Sequence, residues 1–192
     1  MTTQFALNQI KCNEGKDLSN TSDNSHYKSA NTDVMGLLIE KVSKRPLRNW
    51  LVEAVEAAGL EDALYMGTDR FGMPWISGGG CLISRDFLRL GLLFSRNGHG
   101  VGNRKVGSLS FIEQTLKNKG TKYMELSKNK FLHYSNSTMR SGNWIGHSGL
   151  AGQFLAINLK TKVVACFFSV IDTVSGTDES YKKEMINMMD EI

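Results

Sequence analysis

The sequence predicts an α+β fold in which a helical part comes first and an antiparallel sheet, covered by a C-terminal helix, comes last. Three observations predict it. Apolar residues between positions 35 and 58 recur at helical spacing. QFLAINLKTKVVACFFSV, residues 153–170, reads as two strands around the polar turn Lys160-Thr161-Lys162. Tyr181, Met185, Met188 and Ile192 then fall on one face of a closing helix that should lie across the sheet.

In chain order, residues 1–26 come first as a polar segment. Its stretch NEGKDLSNTSDNSH, residues 13–26, holds too little apolar surface to offset the entropy of ordering, so disorder is expected there. Order should begin near Tyr27. Asn31, Thr32 or Asp33 can cap a helix whose apolar positions Met35, Leu38, Ile39 and Val42 follow the i, i+3, i+4, i+7 spacing, and which stops at Arg45-Pro46. Pro46 suits the first turn of a second helix. Leu47, Trp50, Leu51, Ala54 and Ala58 form its apolar face, and Gly59 its C-terminal stop. ALYMGTDRFGMPWIS, residues 63–77, changes period to two short extended runs around Phe71-Gly72, followed by glycines 78–80. A third helix is expected from Ser84, whose hydroxyl can cap it, to Asn97-Gly98. NWIGHSG, residues 143–149, reads as the end of a strand next to the final pair.

With 192 residues, 41% of them hydrophobic, the chain is long enough for one real core and too short for two large domains. Its net charge of +4 comes from scattered Lys and Arg rather than a run that would track a phosphate backbone, so no nucleic-acid partner is expected. Cys12, Cys81 and Cys166 form no C-x-x-C pair, and their odd number rules out a fully paired disulfide framework within one chain. The start, MTTQFALNQIKCNEGK, has no signal-peptide pattern, and no segment approaches the roughly 20 apolar residues of a membrane span; as given, the chain reads as cytoplasmic. The four histidines show no H-x-x-x-H or H-x-H pairing, which gives no metal site. Glycines 78–80 lack the G-K-S/T continuation of a phosphate-binding loop and read as a tight turn into the third helix.

Three stretches in order carry a family resemblance: YKSANTDVMGLLIEKVSKRPL, then DRFGMPWISGGGCLISRDFLRLGLLFSRNG, then GHSGLAGQFLAINLKTKVVACFFS. Together they resemble the C-terminal two-thirds of serine hydrolases of the β-lactamase and penicillin-binding-protein superfamily. The resemblance is to the class C-like branch, with its esterases and 6-aminohexanoate-dimer hydrolases, and it covers about residues 27–192. It implies a β-lactamase/transpeptidase-like fold, present as an incomplete domain. It implies no cofactor and a small-molecule acyl substrate that is an ester, an amide or a β-lactam. In that superfamily the Ser of an S-x-x-K motif is the nucleophile and its Lys can take the proton. By resemblance Tyr27 takes the role of the tyrosine that supports proton transfer, with Ser29 third in its motif. His147, Ser148 and Gly149 take the strand that closes the other wall. The Leu150 N–H falls where an oxyanion donor, worth about 3 kcal/mol of transition-state stabilisation, is expected.

The nucleophile is the difficulty. Ser-x-x-Lys occurs at Ser25 to Lys28, Ser127 to Lys130 and Ser180 to Lys183. Ser180 lies in the closing helix, and Ser127 lies beyond the tyrosine motif where the family order requires it well before. Ser25 is a weak candidate with Lys28, because on a helix those two share a face while Tyr27, two residues from Ser25, points about 160° away. The family's separate S-x-x-K helix has no counterpart in this sequence. Two readings follow. The chain is a fragment of an acyl-transfer hydrolase, inactive alone, whose partner would be the N-terminal portion of the same domain. Alternatively, it is a non-catalytic module derived from that fold, binding a ligand or a partner protein.

Overall fold

The computed structural model describes residues 27–117, 120–127, 130–172 and 178–189. The segment expected to be disordered, residues 1–26, lies outside the described residues, and so do Cys12 and Ile192.

Helix α1 spans Ser29–Ser43, starting earlier than its expected caps. Lys28 precedes it in an extended conformation, and no side chain caps it. Asp33 has a different use. It is buried, and its carboxylate accepts hydrogen bonds from the Ser77 N–H (3.1 Å) and hydroxyl (2.9 Å), the donors a buried carboxylate needs. The face of α1 is also the reverse of the one its spacing suggests. Asp33 and Gly36 are its buried residues, whereas Met35, Leu38, Ile39 and Val42 are exposed, Val42 to 74%. Gly36 helps explain the seating: a Cβ there would stand 2.8 Å from Leu47 Cδ2 and 2.9 Å from Met73 Cε, so a larger residue would require those side-chain ends to shift.

Helix α2, Leu47–Ala58, follows Pro46 and turns Leu47, Ala57 and Ala58 inward. The Glu40 carboxylate of α1 accepts the Leu47 N–H at 2.7 Å, tying the two helices at their junction. Trp50, expected on the apolar face, is 41% exposed and stacks against the Arg45 guanidinium at 4.4 Å. Gly59 closes α2 with φ +69°, its N–H returning to the Val55 and Glu56 carbonyls, as the sequence suggests.

Strands β1 (Tyr65–Met66) and β2 (Gly80–Cys81) pair antiparallel, and Thr68 and Pro74 bridge inside the same loop around Gly72. Helix α3 covers Ser84–Ser95. The Ser84 hydroxyl does not cap it; Ile83 holds the cap position with no side-chain bond. Its first turn is fixed instead by Asp86, fully buried, which accepts the Glu61 and Asp62 N–H groups at 3.1 and 2.9 Å and pairs with Arg89 at 2.7 Å. Burial raises the Asp86 pKa, but those two N–H donors and Arg89 together outweigh it and hold the carboxyl below its usual range. Asn97 and Gly98, both at positive φ, end the turn after α3 as expected.

Helix α4 (Leu109–Lys117) leads into a six-stranded antiparallel sheet. Its strands are β3 (Thr121–Ser127), β4 (Lys130–Ser135), β5 (Thr138–Ser141), β6 (Trp144–Ser148), β7 (Phe154–Asn158) and β8 (Val164–Phe167), paired in sequence order with β3 and β8 at the edges. The turn at Lys160–Lys162 is organised by Asn158, whose side-chain oxygen accepts the Lys160 and Thr161 N–H groups.

Helices cover both faces of the sheet. On one face α5 (Glu179–Met189) buries Ile186 and Met189 among Met124, Leu132, Met139, Trp144, Phe154 and Ala156. Met188, expected on that apolar face, is 47% exposed: the inward stripe runs one position from the expected register. On the other face α3 packs on β7 and β8 through Gly91, where a Cβ would stand 2.6 Å from Val164 Cγ1 and 3.1 Å from Leu155 Cδ1. Among the described residues, no helix is long and apolar enough to cross a membrane.

Candidate active site

At the carboxyl end of β6 the chain must turn back sharply into β7. Gly146 makes the first accommodation, since a Cβ there would collide with the Leu155 carbonyl oxygen. Gly149 is extended, its N–H donating to the Gln153 carbonyl at 2.7 Å, and Ala151 and Gly152 both take positive φ in the short 3₁₀ turn Leu150–Gly152. Gln153 Nε2 donates to the Ser169 carbonyl at 2.8 Å, which ties the turn to the segment after β8. His147, Ser148, Gly149 and Leu150 therefore sit on one braced corner, with Leu150 70% exposed.

Tyr27 comes to this corner from the far end of the sequence. Its ring centroid lies 5.9 Å from that of His147 and 6.2 Å from that of Tyr134 on β4, the latter edge-on at 86°. Tyr134 in turn meets His147 edge-on at 5.9 Å and Tyr123 of β3 at 6.1 Å. These contacts join the residues just before α1 to β4 and β6, and through Tyr134 to β3. Ser29, two residues from Tyr27, opens α1 on its exposed surface. Tyr134 and Tyr123 were not among the residues singled out from the sequence. They lie in 121–141, a stretch whose strands the sequence reading left unassigned, so nothing connected them to His147.

The hydrogen bonds of His147 define its protonation. Nδ1 lies 2.9 Å from the Ser148 carbonyl, which can only accept, so Nδ1 carries the proton. Nε2 lies 3.2 Å from the Tyr134 hydroxyl and accepts from it in the neutral ring. Burial lowers the His147 pKa, opposed by the Ser148 carbonyl and assisted by the positive charge of Lys182. Tyr134 moves the other way, to about 12, chiefly through burial, with Tyr27 and Tyr123 adding to it. At neutral pH the pair is therefore a phenol donating to a neutral imidazole. Lys182 of α5, its ammonium 5.7 Å from the Tyr123 ring, completes the cluster on the α5 side.

A histidine held neutral by burial has a measurable consequence. The unfolded chain binds a proton at His147 that the folded chain resists, so the unfolding midpoint should fall as pH drops below the ordinary value of 6.5 toward the lowered folded value. His147→Gln should flatten the pH profile in that window. An unchanged slope would mean that His147 titrates alike in both states.

The Ser-x-x-Lys candidates separate. Ser25 lies outside the described residues, and its partner Lys28 is extended, one residue before α1 begins. Ser180 is occupied at the start of α5, where its hydroxyl donates to Asp178 Oδ1 at 2.6 Å. Ser127 ends β3 on the strand paired with β4.

No protein-family model and no curated protein matches the sequence. Solved structures do. A protein from Bacillus anthracis assigned as a 6-aminohexanoate-dimer hydrolase superposes with a TM-score of 0.68 over 92% of this chain, at 20% identity. A protein from Bacteroides dorei assigned as a β-lactamase superposes with a TM-score of 0.61 over 99% of it, at 14% identity. This chain spans 45% of the length of the first and 63% of the second. At that identity the likeness is one of fold, and the fold of this chain is the β-lactamase-like one.

Proposed function

We propose that the chain contributes the C-terminal portion of a β-lactamase-like serine hydrolase site and that a segment bearing S-x-x-K supplies the nucleophile. The observation that carries this reading is the meeting of Tyr27 with His147, 120 positions apart, at the braced corner that ends in Leu150. In such a site the serine oxygen attacks the carbonyl carbon of an ester, an amide or a β-lactam. Its proton passes by way of the lysine and Tyr27 to the leaving group, and water then hydrolyses the acyl-serine. The Leu150 N–H would stabilise the developing oxyanion together with the N–H of the serine itself. The exposed apolar side of α1, which begins beside Tyr27, and β8, an edge strand among the described residues, are the surfaces on which the nucleophile-bearing segment would pack.

The test is reconstitution. The purified chain is incubated with a fluorophosphonate probe and an activated ester, alone and with the N-terminal portion of a β-lactamase-like hydrolase carrying S-x-x-K. The expected result is no labelled serine in the chain alone, and a labelled serine with an acyl burst in the mixture. Labelling of Ser25 in the chain alone, lost in Ser25→Ala and weakened in Lys28→Ala, would show that the local Ser-x-x-Lys serves instead.

A further inference from the structure

The geometry points to Tyr134 as a positioning residue of this site: through its hydroxyl it holds His147 with the proton on Nδ1, and through that ring it fixes the Ser148 carbonyl at the corner before Leu150. The significance for acyl transfer rests on the function proposed above; the arrangement itself does not.

Four groups form one chain. The Tyr134 hydroxyl faces His147 Nε2 at 3.2 Å, and His147 Nδ1 faces the Ser148 carbonyl at 2.9 Å. That carbonyl belongs to the same peptide plane as the Gly149 N–H, which donates to the Gln153 carbonyl at 2.7 Å. The Ser148–Gly149 peptide is thus held on both sides, by the imidazole at its oxygen and by Gln153 at its nitrogen. Its orientation sets where the Leu150 N–H points. A free imidazole side chain favours the other tautomer, with the proton on Nε2, which would leave the Ser148 carbonyl facing an acceptor. The Ser148 carbonyl can only accept, which excludes that alternative while the ring faces it, and donation from the Tyr134 hydroxyl into Nε2 holds the ring in that setting.

Tyr134 is also the only ring in the described cluster that contacts the other three, meeting Tyr27, Tyr123 and His147 at 6.2, 6.1 and 5.9 Å. Among the described residues, Tyr27 and Tyr134 meet the His147 ring, and the charge of Lys182 acts on it from the α5 side. Of these, the Tyr134 hydroxyl is the one in hydrogen-bond reach of Nε2. Tyr134 therefore acts on the reaction through His147 and the corner rather than by meeting the substrate.

Histidine tautomers are read directly from long-range proton–nitrogen correlation spectra of the uniformly nitrogen-labelled chain, with His147 assigned by its absence from His147→Gln. In the unaltered chain at pH 7.5, the expected result is a protonated Nδ1 and an unprotonated Nε2. In Tyr134→Phe, which keeps the ring, the Nε2-protonated form should appear, and the Leu150 and Gly149 amide resonances should shift. Tyr123→Phe, which removes a hydroxyl from the same cluster without touching Nε2, should leave the tautomer unchanged. A protonated Nε2 in the unaltered chain would overturn the inference without recourse to any variant. So would an unchanged tautomer in Tyr134→Phe, or an equal response to Tyr123→Phe. These readouts need no catalysis, so a chain that fails to reconstitute an active hydrolase can still show the Tyr134 effect, and the reverse.

Discussion

Tyr27→Phe is expected to lower acylation of the reconstituted site by about 10²–10⁴-fold, the range for losing a positioned proton-transfer group. The same change should leave the urea midpoint of the chain nearly where it was. The two halves of this expectation come from different parts of the same side chain. The ring of Tyr27 makes the contacts with His147 and Tyr134, and phenylalanine keeps the ring. The residue is 46% exposed, so removing its hydroxyl leaves no buried donor or acceptor unsatisfied. Fluorophosphonate labelling rates of the reconstituted mixture, with urea titration of the isolated variant, measure both. A labelling rate within about threefold of the unaltered chain would remove Tyr27 from proton transfer and leave it a packing residue.

Much of the fold was legible because local rules and tertiary packing agree along most of the chain. Gly59 and Gly98 stop their turns where the sequence places them, since positive φ is a local demand that glycine meets locally. The pair β7 and β8 around Lys160–Lys162 was legible because two apolar runs and the polar, Asn-anchored turn between them all fall in a single window. Caps were not. Asp33 and Ser84 both stand at helix starts with the right chemistry, but Asp33 is claimed by Ser77, 44 residues away, and Asp86 organises the start of α3 from within. No window of ordinary length contains Ser77 and Asp33 together. Strands β3 to β5 were missed because TKYMELS, KFLHYS and TMRS mix polar and apolar positions around half-buried tyrosines. With them went Tyr134, the partner of His147. The pairing of Tyr27 with His147 came from the resemblance alone, since no spacing argument reaches across 120 residues.

The side of α1 that carries Met35, Leu38, Ile39 and Val42 is where sequence and structure part most sharply, and it carries the other large expected effect. The helical spacing of these residues is that of a buried face, yet they stand 37% to 74% exposed while Asp33 and Gly36 face inward. If that face receives the nucleophile-bearing segment, charging it should do little to the chain alone. Leu38→Asp and Val42→Asp should each change its stability by no more than about 0.5 kcal/mol, as for surface substitutions generally. Ile186→Ala, at 2% exposure on the buried face of α5, should cost about 2–5 kcal/mol by the same urea titration.

Reconstitution inverts the order. Each apolar side chain covered on docking contributes about 1.5–3 kcal/mol, and a carboxylate in its place must shed its water with no donor facing it. Leu38→Asp with Val42→Asp should therefore abolish labelling of the reconstituted site at probe and chain concentrations that saturate the unaltered mixture. Two outcomes would sink this reading. Unfolding of the chain by the aspartates would mean that its own residues already cover the face, and undiminished labelling would mean that the nucleophile-bearing segment packs elsewhere.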